Sequence, residues 1–224
     1  MTSAAPSAAV RTRLEAGLAS LGLNPEADRV TALAAYIALL ERWNRAFNLS
    51  AVRDPEAMVA RHVLDSLASV AYLEGPRILD VGSGAGLPGI PVALCCPHLE
   101  VTLLDSNGKK TRFLQQAVAT LPLPSTTVVR ARVEDHRDPD GFNTVMARAC
   151  APLARLVGTA GHLVAPGGQL LALKGRFDAA DEAAGLDAAW AHTVAPVTVP
   201  GLDAARSLVR VRRIAESSSG ELHG

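Results

Sequence analysis

The sequence predicts an α/β protein: a doubly wound, mostly parallel sheet of seven strands preceded by an N-terminal helical cap. Three observations carry this. From Arg77 onward, short apolar runs alternate with amphipathic stretches, the signature of βαβ units with right-handed crossovers. Hydrophobic residues make up 49% of the 224 positions but aromatics only 4%, so the core must be layered from Leu, Ala and Val, as when helices cover a parallel sheet. Before residue 75 the apolar residues recur at helical rather than strand spacing.

In the cap, Leu33, Tyr36, Ile37, Leu40, Trp43 and Phe47 form one helical stripe. Met58, Val59, Val63, Leu67 and Val70 form a second, behind an Asp54-Pro55 start signal. Strands are predicted at residues 78–81, 101–104, 127–129, 143–147 and 169–173, with helices between them and Gly167-Gly168 as a turn before the fifth. Two more are predicted at 192–199 and 207–214, the latter alternating Val209 and Val211 with Arg210 and Arg212. The expected organisation is a cap over 1–75, a sheet domain over 76–216, and a flexible tail at 217–224 that lacks an apolar face. The alanine-rich stretch 177–199 offers no motif.

The 22 basic and 22 acidic side chains cancel, so no global field draws the chain to nucleic acid, and any RNA affinity must come from local patches. Cys95, Cys96 and Cys150 lack metal-site spacing and read as reduced structural thiols, so no metal is expected. Residues 1–10 hold no apolar signal core, and no run of about 18 apolar residues occurs. A cytoplasmic monomer without a membrane partner is expected.

The chemistry centres on Arg77 to Gly89, a strand that enters a glycine-rich turn and then a helix. Glycines let a ligand approach the backbone, and a helix start supplies free N–H groups. Gly84-x-Gly86-x-x-Gly89 also satisfies the dinucleotide fingerprint, so charge must choose the ligand. Asp80, at the strand's carboxyl end, repels a pyrophosphate and attracts the ammonium and sulfonium of S-adenosylmethionine. The bland reading is that Asp80 only accepts hydrogen bonds from the loop. Asp105 closes the next strand, where an acid receives ribose hydroxyls. Val133 and Glu134 follow the third strand, placed for an adenine edge.

Larger blocks carry a resemblance. They are Arg42 to Ser50 (RWNRAFNLS), Arg61 to Ser66 (RHVLDS), Asp80 to Pro91, Leu103 to Ser106 (LLDS) and Ala172 to Gly175 (ALKG). In these the chain resembles the glucose-inhibited division protein B family, bacterial 16S rRNA guanine-N7 methyltransferases acting on the 530 loop. The resemblance implies a Rossmann-like class I methyltransferase fold and S-adenosylmethionine as cofactor. It also implies cofactor contacts at Gly82, Leu87, Val133, Glu134 and Arg148, alongside the Asp80, Gly84 and Asp105 read above. The partner it implies is 16S rRNA or the small ribosomal subunit. RNA contacts are expected at Arg61, His62, Lys109, Lys174 and Arg206.

Other readings stay open at this point. A small-molecule methyltransferase shares the fold but needs an apolar, usually aromatic pocket, and the chain has four Phe, two Trp and two Tyr. A nicotinamide oxidoreductase fits the glycine spacing, and a sensor fits the loop without turnover. His62, Asp65 and Ser66 hold triad residue types, but no G-x-S-x-G elbow accompanies them. Guanine N7 attacks through an in-plane lone pair without losing a proton, so no general base is expected, and Arg148 is read as positioning the reactants. Its expected partners are a carboxylate, Glu134 or the donor's methionine end, and guanine O6 or phosphate.

Overall fold

The computed structural model describes residues 7–148, 151–178 and 183–214, built around a seven-stranded sheet in the order β3-β2-β1-β4-β5-β7-β6. The strands are β1 (Arg77–Val81), β2 (Glu100–Leu104), β3 (Thr126–Val129), β4 (Phe142–Ala147), β5 (Val164–Lys174), β6 (Trp190–Val197) and β7 (Arg206–Arg213). The first five run parallel, and β7 lies antiparallel to both β5 and β6. The fold is the Rossmann-like α/β class that the alternation of apolar runs predicts.

Alternation along each strand splits the core. Ile78 turns to one face and Leu79 to the other, and both are fully buried. On the first face lie α1 (Ala8–Ser20), α2 (Ala27–Phe47), α5 (Gly89–Cys95) and α6 (Gly108–Thr120). On the second lies α7 (Leu153–Ala160), with Trp190. The cap shares its apolar cluster with Ile78, Val101 and Leu103 of the sheet, so one core crosses the 75/76 boundary.

The second helical block starts as its Asp-Pro signal requires. Asp54 accepts the Ala57 N–H at 2.9 Å and Pro55 opens α3 (Pro55–Met58). The chain then widens into a π-helical turn, Val59–Leu64, before α4 (Asp65–Leu67) and a 3₁₀ turn, Val70–Tyr72. Such turns gather at functional sites.

Three expectations change. α1 is not foreseen, because Val10, Leu14 and Leu18 recur every fourth residue among alanines and polar residues; Gly17 admits Leu64, whose Cδ1 sits 2.2 Å from where a Cβ would stand. No helix bridges β3 and β4 among the described residues; residues 130–141 form a loop. Gly167-Gly168 is a bulge inside β5, not a turn before it: the register with β4 shifts between Phe142 and Thr144, and Gly167 takes a φ of 76°. Cys150 and the 217–224 tail lie outside the described residues.

Two glycine-to-alanine changes separate packing from backbone entropy. A Cβ on Gly168 meets the carbonyl oxygens of Asn143, Phe142 and Ala165 at 2.8 to 3.0 Å, whereas one on Gly158 in α7 meets nothing within 4 Å. Urea denaturation should show Gly168→Ala destabilised by about 1–3 kcal/mol. Gly158→Ala should gain about 0.4–1 kcal/mol.

Candidate functional site

The crevice opens where the strand order reverses, between the carboxyl ends of β1 and β4, the place where open α/β sheets bind ligands. Gly82, Gly84 and Gly86 take φ of 68°, 59° and 82°, the left-handed region that side chains disfavour, so the turn needs glycine. Six of its N–H groups are spent internally. Gly82 and Ser83 donate to the Leu104 carbonyl at 2.8 and 3.1 Å, and Gly86 and Leu87 donate to that of Ser83 at 2.7 and 2.9 Å. Gly84 donates to the Asp105 carboxylate and Gly89 to that of Asp80, each at 2.9 Å. The expectation of free donors at the helix start is therefore corrected for these six groups. They offer a pyrophosphate nothing, although the spacing matches the dinucleotide fingerprint.

Asp80 is fully buried beneath this turn. Its Oδ2 takes the Gly89 N–H, while its Oδ1 is buried with no partner among the described residues. Burial, with Asp105 adding repulsion, pushes the carboxyl up to about 7, against the opposing pulls of the Gly89 N–H, the nearby Ser83 hydroxyl and the Arg148 charge. The bland reading of Asp80 as a loop acceptor therefore holds for one oxygen only. The other has no hydrogen-bond partner among the described residues.

Asp105 is 7% exposed at its side chain, with Oδ1 accepting the Asn107 N–H at 2.8 Å and Oδ2 lying 3.8 Å from Lys110 Nζ. It borders a cavity of about 320 Å³ lined also by Val81, Gly82, Leu104, Val133 and Glu134. The residues assigned to ribose and adenine thus share one wall. Leu87 lies beneath it, 8% exposed in the apolar core, and shapes the turn from below.

Arg148 follows β4, as its position after Val145-Met146-Ala147 predicts, and the carboxylate it meets within the chain is Asp65 rather than Glu134. Nη2 lies 3.6 Å from Asp65 Oδ2 and donates to the Arg61 carbonyl at 3.1 Å. Asp65 Oδ1 accepts Arg206 Nε at 2.6 Å. One carboxylate, 7% exposed, therefore ties β4, β7 and the cap together and leaves the trio with net positive charge. Asp65 was not singled out for this role because its partners lie 83 and 141 positions away in the chain.

With this geometry in place, relatives can be compared. The model of the rRNA small subunit methyltransferase G family matches residues 29–209. The chain belongs to this family. Ribosomal RNA small subunit methyltransferase G of Chromohalobacter salexigens is 51% identical over 207 residues, covering 92% of this chain and 98% of that one. Its counterpart from Nitrosococcus oceani is 50% identical over 200 residues, covering 89% and 93%. Among solved structures, an S-adenosylmethionine-dependent methyltransferase from Aquifex aeolicus aligns with a TM-score of 0.58 at 15% identity, over 73% of this chain and 96% of that one. At that identity the likeness speaks for the fold alone.

The five residues expected at RNA divide by exposure. Arg61 and Lys109 are exposed, and Arg206 is half-buried on Asp65. His62 and Lys174 are only 5% and 4% exposed, and both are engaged within the chain. Lys174 donates to the Ala151 carbonyl. His62 Nδ1 donates to the Arg61 carbonyl at 2.9 Å, so Nε2 accepts the Ser50 hydroxyl at 2.6 Å. Burial holds the imidazole below its ordinary pKa and hence neutral. Ser66 donates instead to the His62 carbonyl, and Asp65 faces the arginines, so no triad forms.

Tyr36 carries a role hidden in its helical stripe. Its buried hydroxyl donates to the Ala85 carbonyl at 2.7 Å, fastening the cap to the middle of the glycine turn. Tyr36→Phe strands that carbonyl. Stability in urea should fall by about 1–3 kcal/mol with the m-value unchanged; wild-type stability would mean the turn holds its shape without the strut.

Proposed function

We propose that the chain transfers a methyl group from S-adenosylmethionine to N7 of a guanine in the 530 loop of 16S rRNA, acting in the cytoplasm on the RNA or the small subunit. The observation that carries this reading is a turn with six of its N–H donors spent and, beneath it, a buried carboxyl oxygen without a hydrogen-bond partner among the described residues, in a chain of the methyltransferase G family. Such a site favours a cationic ligand over an anionic one. The names borne by the relatives supply the acceptor, small-subunit ribosomal RNA.

The residues present fit the cofactor. Asp80 Oδ1 offers negative charge to an ammonium, Asp105 retains lone pairs for ribose hydroxyls, and Val133 with Glu134 borders the space for the base. When bound, S-adenosylmethionine supplies an electrophilic methyl. Guanine N7 needs no deprotonation, and His62, neutral and bonded at both nitrogens, is not placed to serve as a base. The chain's contribution is to orient the reactants and exclude water around the charged donor. Arg148, 29% exposed and held by Asp65, presents its planar fork at the crevice rim to guanine O6 or a phosphate.

Incubating 16S rRNA with the protein and a methyl-labelled donor, then mapping the label by mass, should place one N7-methylguanine in the 530 loop. A label elsewhere, or none, would overturn the acceptor assignment. Arg148→Ala should lower turnover on the order of tenfold or more, and Arg148→Lys should restore it only in part because the fork is lost. Wild-type turnover in the alanine variant, with the fold confirmed by circular dichroism, would remove the positioning role.

A further inference from the structure

Three large hydrophobic side chains stand exposed among the described residues, and Phe47, 44% exposed at the end of α2, is the one aromatic. Its ring does not float. It stacks on Trp43 at 5.1 Å with a 33° tilt, and Trp43 meets the fully buried Phe113 of α6 edge-on at 5.7 Å and 67°. The ladder of three rings runs from solvent into the core, so Phe47 is presented on a rigid base with little conformational entropy left to lose. One face of the ring packs on Trp43, and the remainder is open to solvent and able to receive a second flat ring.

The elements that carry the ladder also carry cations. Arg42 and Arg53 flank the ring in sequence, and Lys109 and Arg112 come from the start of α6, the helix that Phe113 joins to the ladder. All four are exposed and make no ion pair among the described residues. Arg45 is the exception, neutralised by Glu41 at 2.7 Å. The αL cap residue Asn48 accepts from Arg53 at 3.0 Å, which holds that guanidinium beside the end of α2. Lys110 of the same first turn lies 3.8 Å from Asp105, so this patch abuts the rim of the crevice.

We propose that the Trp43–Phe47 ladder with its flanking arginines and lysines is a docking surface for unpaired RNA, in which Phe47 stacks a base outside the active crevice while the cations take phosphates. A π-face accepts any base, and unpaired phosphates demand the four uncompensated charges, the pairing that single-strand binders use. A duplex presents phosphates but no free base face. The proposal rests on the RNA reading of the site and adds a second contact point that holds the loop while its guanine enters the crevice.

The test uses anisotropy of two fluorescein-labelled RNAs of equal length, a hairpin with an unpaired purine-rich loop and a perfect duplex, with the full chain. Phe47→Ala should weaken hairpin binding roughly tenfold and leave duplex binding unchanged, and Phe47→Tyr should bind as wild type. Arg42→Ala should weaken both RNAs alike, with a smaller salt slope. Affinity for S-adenosylhomocysteine, whose proposed cavity Phe47 does not line, should stay at its wild-type value. Wild-type hairpin affinity in folded Phe47→Ala overturns the proposal. So does a defect that appears only on assembled subunits, since that assigns the patch to a protein partner. Guanine methylation by wild type with a normal KM in Phe47→Ala would sink this surface and leave the proposed function standing. Phe47-dependent hairpin binding without any methylation would do the reverse.

Discussion

The site depends on one buried carboxylate. Asp80 sits at the end of β1 with no exposure to solvent, and its only donor among the described residues is the Gly89 N–H. That bond ties the first residue of α5 to the strand before the turn, and it needs glycine at 89: a Cβ there would lie 2.3 Å from Leu103 Cδ2 and 2.8 Å from Asp80 Oδ2. The turn between can then close on itself, with its donors directed to Leu104, Ser83 and Asp105. Six donors of the loop are thus taken up within it, and the Asp80 Oδ1 beneath is left without a hydrogen-bond partner among the described residues. That arrangement is the basis on which a cationic ligand is proposed.

Around this centre, the cap works as part of the crevice rather than as an appendage. Tyr36 reaches the Ala85 carbonyl, the π-helical turn presents the Arg61 carbonyl to Arg148, and Asp65 just after it bridges Arg148 and Arg206. The shared apolar cluster gives the same result from the packing side, because Leu33, Ile37 and Leu40 of α2 belong to the core that covers β1 and β2. A methyltransferase sheet without this cap would retain the glycine turn but lose the struts that set its shape and the carboxylate that orients its arginines.

Local pattern revealed much of this and missed what is remote. Each of the seven strands lies within a few residues of its predicted place, because period-two apolar runs and turn residues are local signals. The places of Asp80, Asp105, Val133 and Glu134 at the ends of successive strands are local signals, and the topology brings Asp105, Val133 and Glu134 to the border of one cavity. The roles of Asp65, Tyr36 and Ser50 are not, since each acts through a partner that is distant in the chain or set by a turn, although all three stand in segments that the sequence marks. For His62 and Lys174 the residue type alone does not tell burial from surface, and the fold buries both with hydrogen-bond partners; local hydrogen bonding is one of the two readings open for His62.

The central claim, that Asp80 is a dry carboxylate kept for a cation, can be measured on that group itself. Its folded pKa of about 7 lies above its ordinary value, so between roughly pH 4 and 7 the folded chain holds a proton that the unfolded chain has released. Stability from this group is full at the acid end and declines as pH rises toward 7. A bound ammonium reverses the preference by stabilising the ionised form. A ¹³C NMR titration of the Asp80 carboxyl, assigned through Asp80→Asn, should show a midpoint near 7 for the free protein and a fall of a unit or more with saturating S-adenosylhomocysteine, which retains the ammonium. A midpoint near 4 in the free protein, or one that does not move when the ligand binds, would contradict the account.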